Sequence, residues 1–142
     1  YADLKELTLL EIPKKTTAMI QPCDVYYNRQ YKYLVRKMYH HVRFYFLDIR
    51  LSQRNNIIKL NSLVYNQLSS PKFYSMIKYA WYQSGYLLRS PGVFQNVQDI
   101  CFSFQIHNCQ LQGCVDPTPF IKCAYCDKVL CLEHFFESFH FH

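Results

Sequence analysis

The last quarter of the chain, "CQLQGCVDPTPFIKCAYCDKVLCLEHFFESFHFH" (109–142), sets the tightest limit on what can fold. Five of the seven cysteines fall between Cys109 and Cys131, and His134, His140 and His142 follow closely. The spacing reads C-x4-C-x8-C-x2-C-x4-C-x2-H-x5-H-x-H. A disulfide framework spreads its cysteines over a small secreted domain and has no use for interleaved histidines. Close pairs of Cys and His instead let one turn present two ligands to one ion, and zinc takes four such ligands. Eight candidates in four close pairs predict two structural zinc ions in a reducing compartment, with no position left open for catalysis. Two pairings are open. The short spacer Asp127–Leu130 lets Cys123, Cys126, Cys131 and His134 share one ion, whereas a cross-brace sends alternate pairs to different ions. His107, just before the run, is a further candidate ligand.

The rest of the chain differs in charge. Residues 1–100 hold 14 Lys/Arg against six Asp/Glu, a formal +8, and residues 101–142 hold two against four, a formal −2. We therefore divide the chain at that point, into a basic body (1–100) and a Cys/His module (101–142). A basic body suits an anionic partner, nucleic acid being the commonest, or simply keeps the surface solvated. Half of the residues are hydrophobic and 18% are aromatic, enough for a packed core. No apolar run approaches the ~20 residues of a membrane span, and no signal peptide is visible. The chain opens on Tyr1, which predicts a piece of something longer.

"LKELTLLEI" (Leu4–Ile12) reads as a buried strand, and "PKKTTAMIQP" as a loop. A long helix fits Asp24 to Phe46. Tyr27, Tyr31, Leu34, Val35, Met38, Val42, Tyr45 and Phe46 recur by threes and fours and predict its packed face. Arg29, Lys32, Arg36, His40 and Arg43 fall opposite, as a solvated face or a phosphate-contacting stripe. "IIKLNSLVYNQL" predicts a second helix. Ser70-Pro71 supplies the cap and first turn of a third, "KFYSMIKYAWYQSGY", which Gly85 ends. Phe73 and Trp81 are expected in the core. "RSPGVFQNVQDI" reads as a linker.

One residue of the long helix is out of keeping. Asp24 is the only acid between Met19 and Phe46. Counted back at ~100° per residue it projects onto the apolar side. It complements the positive end of the helix, or it faces a cleft that needs a carboxylate.

Two resemblances bear on these choices. "IPKKTTAMIQPCDVYYNRQYKYLVRKM" resembles the end of the catalytic domain of pogo- and mariner-like transposases, the DDE superfamily endonucleases. Ile12, Pro13, Thr16, Thr17, Gln21, Pro22 and Asp24 match that pattern, with Lys14 in place of a second proline. "FYSMIKYAWYQSGY" is similar to the helix following the catalytic core, and the Cys/His tail looks like that of many animal copies. The resemblance implies an α+β fragment: the end of a ribonuclease-H-like catalytic domain, one strand and then mainly helices, followed by a small zinc-stabilised module. It also implies that Asp24 is the third carboxylate of a triad sharing Mg2+ with two aspartates on neighbouring strands. Two Mg2+ ions about 3.5–4 Å apart would serve strand cleavage and transfer. Only Asp3 precedes this stretch, in the wrong place, so the segment alone is expected to be inactive. DNA is the implied partner, for which the stripe residues Arg29, Lys32, Arg36 and Arg43 are the candidate contacts, and the implied location is nuclear. A domesticated adaptor, binding DNA and a protein partner without catalysis, is the alternative.

The tail from Cys123 is similar to the B-box class of cross-braced zinc modules. That resemblance implies that Cys109, Cys114, Cys131 and His134 hold one zinc and that Cys123, Cys126, His140 and His142 hold the other. The departures are a C-x4-C first pair and closing histidines only one residue apart.

Overall fold

The computed structural model of the chain describes Glu11 and residues 13–142. The strand expected at Leu4–Ile12 lies, apart from Glu11, outside the described residues, and so does Asp3. The described part is a small α+β arrangement, mostly helical, with one two-stranded sheet.

A short helix, α1 (Thr17–Ile20), leads into a π-helical turn at Cys23–Tyr27, and α2 (Asn28–Tyr45) continues from it. On α2 the buried side chains Gln30, Leu34, Met38 and Val42 recur every fourth residue, a single ridge that the neighbouring elements cover. Tyr45, expected on that face, is instead exposed. It is the last helical residue, and its ring rests on His41 at 4.9 Å. Helix α3 (Arg54–Leu68) packs against α2 through Leu60, Leu63, Val64 and Leu68.

Ser70 then caps a 3-10 turn, Pro71–Phe73, accepting from the Lys72 amide, and α4 (Tyr74–Gln83) follows. Proline at the first position suits this start because its missing N–H has no partner there in any case. Gly85 ends the helical stretch at φ +82°, a left-handed conformation that side chains disfavour. Phe73 is fully buried, as expected. Trp81 is not, with 46% of its surface exposed. The buried face of α4 runs through Met76 and Ala80, and one further residue turns the indole away from it. The stretch expected as a linker is tied down. Phe94 packs on Tyr26 and Tyr79, and the Gln30 side chain accepts from the Val97 amide.

After a second π-helical turn, Gln98–Phe102, come β1 (Pro119–Lys122) and β2 (Val129–Cys131), paired antiparallel. Pro119 faces Cys131 and Lys122 faces Val129, with an irregularity between Pro119 and Ile121. A third π-helical turn, Glu133–Glu137, buries Phe135 and Phe136. One core runs through all of this: Leu34, Met38, Leu63 and Phe73 of the helices join Ile121, Leu130, Phe135 and Phe136 of the tail.

Candidate metal centre

Each close Cys/His pair is held by its own local device. The hairpin connection Cys123–Lys128 is a tight knuckle. The Cys123 amide donates to the Lys128 carbonyl at 2.9 Å, and the Asp127 amide donates to the Cys123 carbonyl at 3.0 Å. Asp127 takes the left-handed conformation (φ +61°) that closes it, which Asp tolerates better than most residues. Strand β2 delivers Cys131 at its end, and the turn that follows swings His134 back beside it. Phe139, also left-handed at φ +52°, reverses the chain so that His140 and His142 return to the knuckle. The Cys109–Cys114 loop is pinned to β2 by Gln110, whose amide donates to the Val129 carbonyl and whose side chain accepts from the Val129 amide, both at 2.8 Å.

These devices gather the eight side chains into two groups of four: Cys109, Cys114, Cys131 and His134, and Cys123, Cys126, His140 and His142. Within each group the ligand atoms lie within 4.8 Å of one another. A tetrahedral zinc with Zn–S of ~2.3 Å and Zn–N of ~2.0–2.1 Å would set its ligands about 3.8 Å apart for S···S and about 3.6 Å for S···N. In the first group Cys114 and Cys131 are 3.9 Å apart, and His134 Nδ1 is 3.5 Å from Cys109 and 3.1 Å from Cys131. In the second, Cys126 is 3.4 Å from His140 Nε2, and the two Nε2 atoms are 2.9 Å apart. All seven cysteines are free thiols. Geometry and donor set both fit a zinc ion in each group.

The electrostatics of the groups differ. Burial opposes charge on Cys109, yet the amides of Leu111 and Cys131 and the neighbouring thiols Cys114 and Cys131 outweigh it, holding Cys109 below the ordinary thiol value. Burial and the shared bonds with Cys109 and Cys114 push Cys131 up to about 12, against a backbone bond from His134. In the second group burial, with Cys123 beside it, raises Cys126 despite a backbone bond from Lys128. Burial, then the charges of His142 and Lys128, lowers His140 and keeps it neutral. Backbone N–H bonds to the sulfurs are the kind of contact that orients metal ligands and offsets thiolate charge.

Residues 81–142 match the family model of the Tc5 transposase C-terminal domain. Over that stretch the chain is similar to the C-terminal region of a transposase, and the match takes in every one of the eight clustered ligands. No curated protein and no solved structure matches the chain.

The two groups of four are the ones that the B-box resemblance implies. Cys123, Cys126, Cys131 and His134 do not gather as one group: the first two fall with His140 and His142, the last two with Cys109 and Cys114. His107 is exposed and belongs to neither group. Asp24 does not project onto the apolar side, where counting back along the helix places it. It is exposed, and its carboxylate accepts from the Asn28 side chain at 2.7 Å. The π-helical turn at Cys23–Tyr27, closed by the Asn28 amide on the Cys23 carbonyl, advances fewer degrees per residue than the α-helix assumed in counting back. Among the described residues Asp24 joins no group of three metal-capable side chains. Arg29, Lys32, Arg36, His40 and Arg43 are all exposed along α2, as expected, and among the described residues none of them is in an ion pair. No described helix is long and apolar enough to cross a membrane.

Two of the buried polar residues missed in the sequence are Asn66 and Gln67, in the last turn of α3 and bonded to the tail, and Ser70, expected only as a cap, bonds to the tail as well. A signal was there. Gln67 continues the apolar series Leu60, Leu63, Val64 at helical spacing, so a polar side chain was aimed at the core.

Proposed function

We propose that this chain is the C-terminal portion of a DDE-type transposase, in which a zinc-braced tail locks a basic helical layer for contact with DNA. The observation that carries this reading is the formation of two four-ligand groups, each with its ligand atoms within 4.8 Å of one another, inside a stretch that matches a transposase C-terminal domain. In this reading each group holds one structural zinc. The ions staple β1, β2 and the closing turn, and those elements in turn support α2 and α3 through the common core. The exposed stripe Arg29, Lys32, Arg36 and Arg43 contacts phosphates without reading sequence.

Strand cleavage and transfer belong to a longer protein. There, the exposed Asp24 joins two further carboxylates supplied by upstream strands to hold Mg2+, with the fold around it ribonuclease-H-like and the site of action nuclear. The division into a body (1–100) and a zinc module (101–142) describes charge and ligand content, with both parts sharing one core. A protein partner of the module remains part of the same proposal.

The test has two arms. Metal analysis of the purified, reduced chain should find two zinc ions per molecule, and a chain that folds without metal refutes the zinc reading. Binding to duplex DNA should be steeply salt-dependent, because each neutralised phosphate releases counterions. Reversing Arg36 and Arg43 to glutamate should weaken binding and flatten the salt slope. Unchanged affinity would leave the stripe as a solvated surface.

A further inference from the structure

The two metal groups are not supported in the same way. The Cys109/Cys114/Cys131/His134 group takes its backbone bonds from the tail itself, from Leu111, Cys131 and His134. The other group is gripped from outside the tail. Gln67, with no exposed surface, spans its knuckle: Nε2 lies 3.6 Å from Cys123 Sγ, and Oε1 accepts from the Ala124 amide at 2.8 Å. Ser70 Oγ donates to the Ala124 carbonyl at 2.9 Å. Asn66 holds the other ligand pair. Its Nδ2 donates to the His142 carbonyl at 2.7 Å, and its Oδ1 accepts from the His142 amide at 3.3 Å.

Buried amides are costly unless bonded, and here the bonding partners are the ligand-bearing residues or their neighbours. Two consecutive side chains of one helix thus fix ligand pairs that are far apart in sequence. The helix end itself imposes a condition. Its free carbonyls carry partial negative charge, which disfavours a nearby thiolate. A Cys2His2 group with zinc is formally neutral, and an amide N–H on its sulfur offsets what charge remains.

We propose that the last turn of α3 is an integral part of the second metal site. Gln67 donates to the Cys123 thiolate, Asn66 positions the segment carrying His142, and the ion is held tightly only with α3 in place. The first site needs no such help. This makes metal occupancy at the second site a report on the helical body, and makes Asn66 and Gln67 positioning residues. The inference rests on the zinc reading above.

Cobalt separates the two. Co2+ substituted into the whole chain gives different absorption for Cys3His and Cys2His2 coordination, so each site can be titrated against a competing chelator. Gln67→Glu keeps the acceptor for Ala124 and the side-chain size, but sets a carboxylate against the sulfur. Loss of such an outer hydrogen bond weakens metal binding about 10–100-fold. That loss is expected at the Cys2His2 site, with the Cys3His site unchanged. Should this variant fold poorly by circular dichroism, Asn66→Asp, which keeps the acceptor for the His142 amide and loses the donor, is measured in the same way. Equal weakening of both sites, or no change at either, overturns the inference while two ions in the unaltered chain leave the zinc reading standing. No cobalt uptake by the unaltered chain overturns both.

Discussion

The two Cys/His groups sit in one short tail and differ in what holds them. The Cys3His group is built from a loop pinned by Gln110, the end of β2 and the turn after it, with Cys109 and Cys131 buried. The Cys2His2 group joins a knuckle to the segment ending at His142, which is exposed, and takes its fixings from α3. Their charges differ as well. Three thiolates and a zinc leave one net negative charge, which the N–H donors around Cys109 and Cys131 offset, whereas two thiolates leave none. The contrast teaches that one group of four can be assembled by local backbone geometry while its neighbour takes bonds from a distant helix. It also says where each will fail.

Removing both ions erases the contrast and should have the largest effect. Structural zinc contributes on the order of 10 kcal/mol in small zinc modules. Chelation should therefore abolish the tertiary signals of Phe120, Phe135 and Phe136. Because those rings share a core with α2 and α3, the melting temperature of the helical part should fall too, with helix content largely kept. Unaltered near-ultraviolet circular dichroism after complete metal removal would defeat the idea that the ions organise the tail.

Removing the ions one at a time sharpens the comparison. Cys131→Ser takes out a fully buried ligand at the end of β2, where its loss releases the strand and His134 together. Cys126→Ser takes out a half-buried ligand in a knuckle whose backbone is still fastened by Gln67 and Ser70. Each variant should bind one zinc in place of two. The fall in melting temperature should be larger for Cys131→Ser, and the reverse order would mean that the α3-supported site is the dominant staple.

Much of this was legible because it is local. The pairs C-x2-C and C-x2-H bring their side chains together by spacing, and the period of Leu34, Met38 and Val42 announces a packed helix face. What escaped depends on the third dimension. The hairpin β1–β2 is too short to show alternation over two strands of four and three residues, and its turn is the metal knuckle. Asp24 was misplaced because one wide turn shifts the phase of everything before it. Trp81 was expected inside, yet it stands one residue off the α4 ridge, with its ring edge against Tyr86 at 5.5 Å. Asn66 looked like an ordinary helix polar residue, and only the folded-back tail gives it and Gln67 their partners.

A subtler distinction between the sites lies in the protons they give up. Ligands bind zinc deprotonated, so loading releases whatever protons they carry. Thiols ordinarily titrate near 8.5 and are protonated at pH 7. Burial holds Cys131 and Cys126 above the ordinary value, and His140 is kept neutral by burial and by the charges beside it. The Cys3His site should accordingly release about three protons at neutral pH and the Cys2His2 site about two. Calorimetry of Cys126→Ser and Cys131→Ser in buffers of different ionisation heat gives the two counts. Equal counts at neutral pH would contradict the ligand assignment.

The smallest expected effect concerns the charge that ties the knuckle to the helices. Asp127, next to Cys126, pairs with Lys72 at 2.5 Å and with Lys122 at 3.0 Å. Bonds from these two lysines hold its carboxyl below the ordinary range. A carboxyl with a lowered folded value adds stability above its unfolded pKa, about 3.9, and loses it as pH falls through the folded value. At neutral pH the contribution is therefore present in full. It is also small, since the group is half exposed and exposed ion pairs contribute roughly 0–1 kcal/mol. Asp127→Asn keeps a residue that accepts the left-handed conformation and removes only the charge. The variant should bind two zinc ions, with the Cys2His2 site weakened less than by Gln67→Glu. Acid cannot isolate this term, because protonation of the ligands releases the ions first. Salt can: molar salt, which shortens the screening length to about 3 Å, should close the stability gap between the variant and the unaltered chain. A gap that persists in high salt would assign Asp127 a backbone role in the turn and leave the lysines as bystanders.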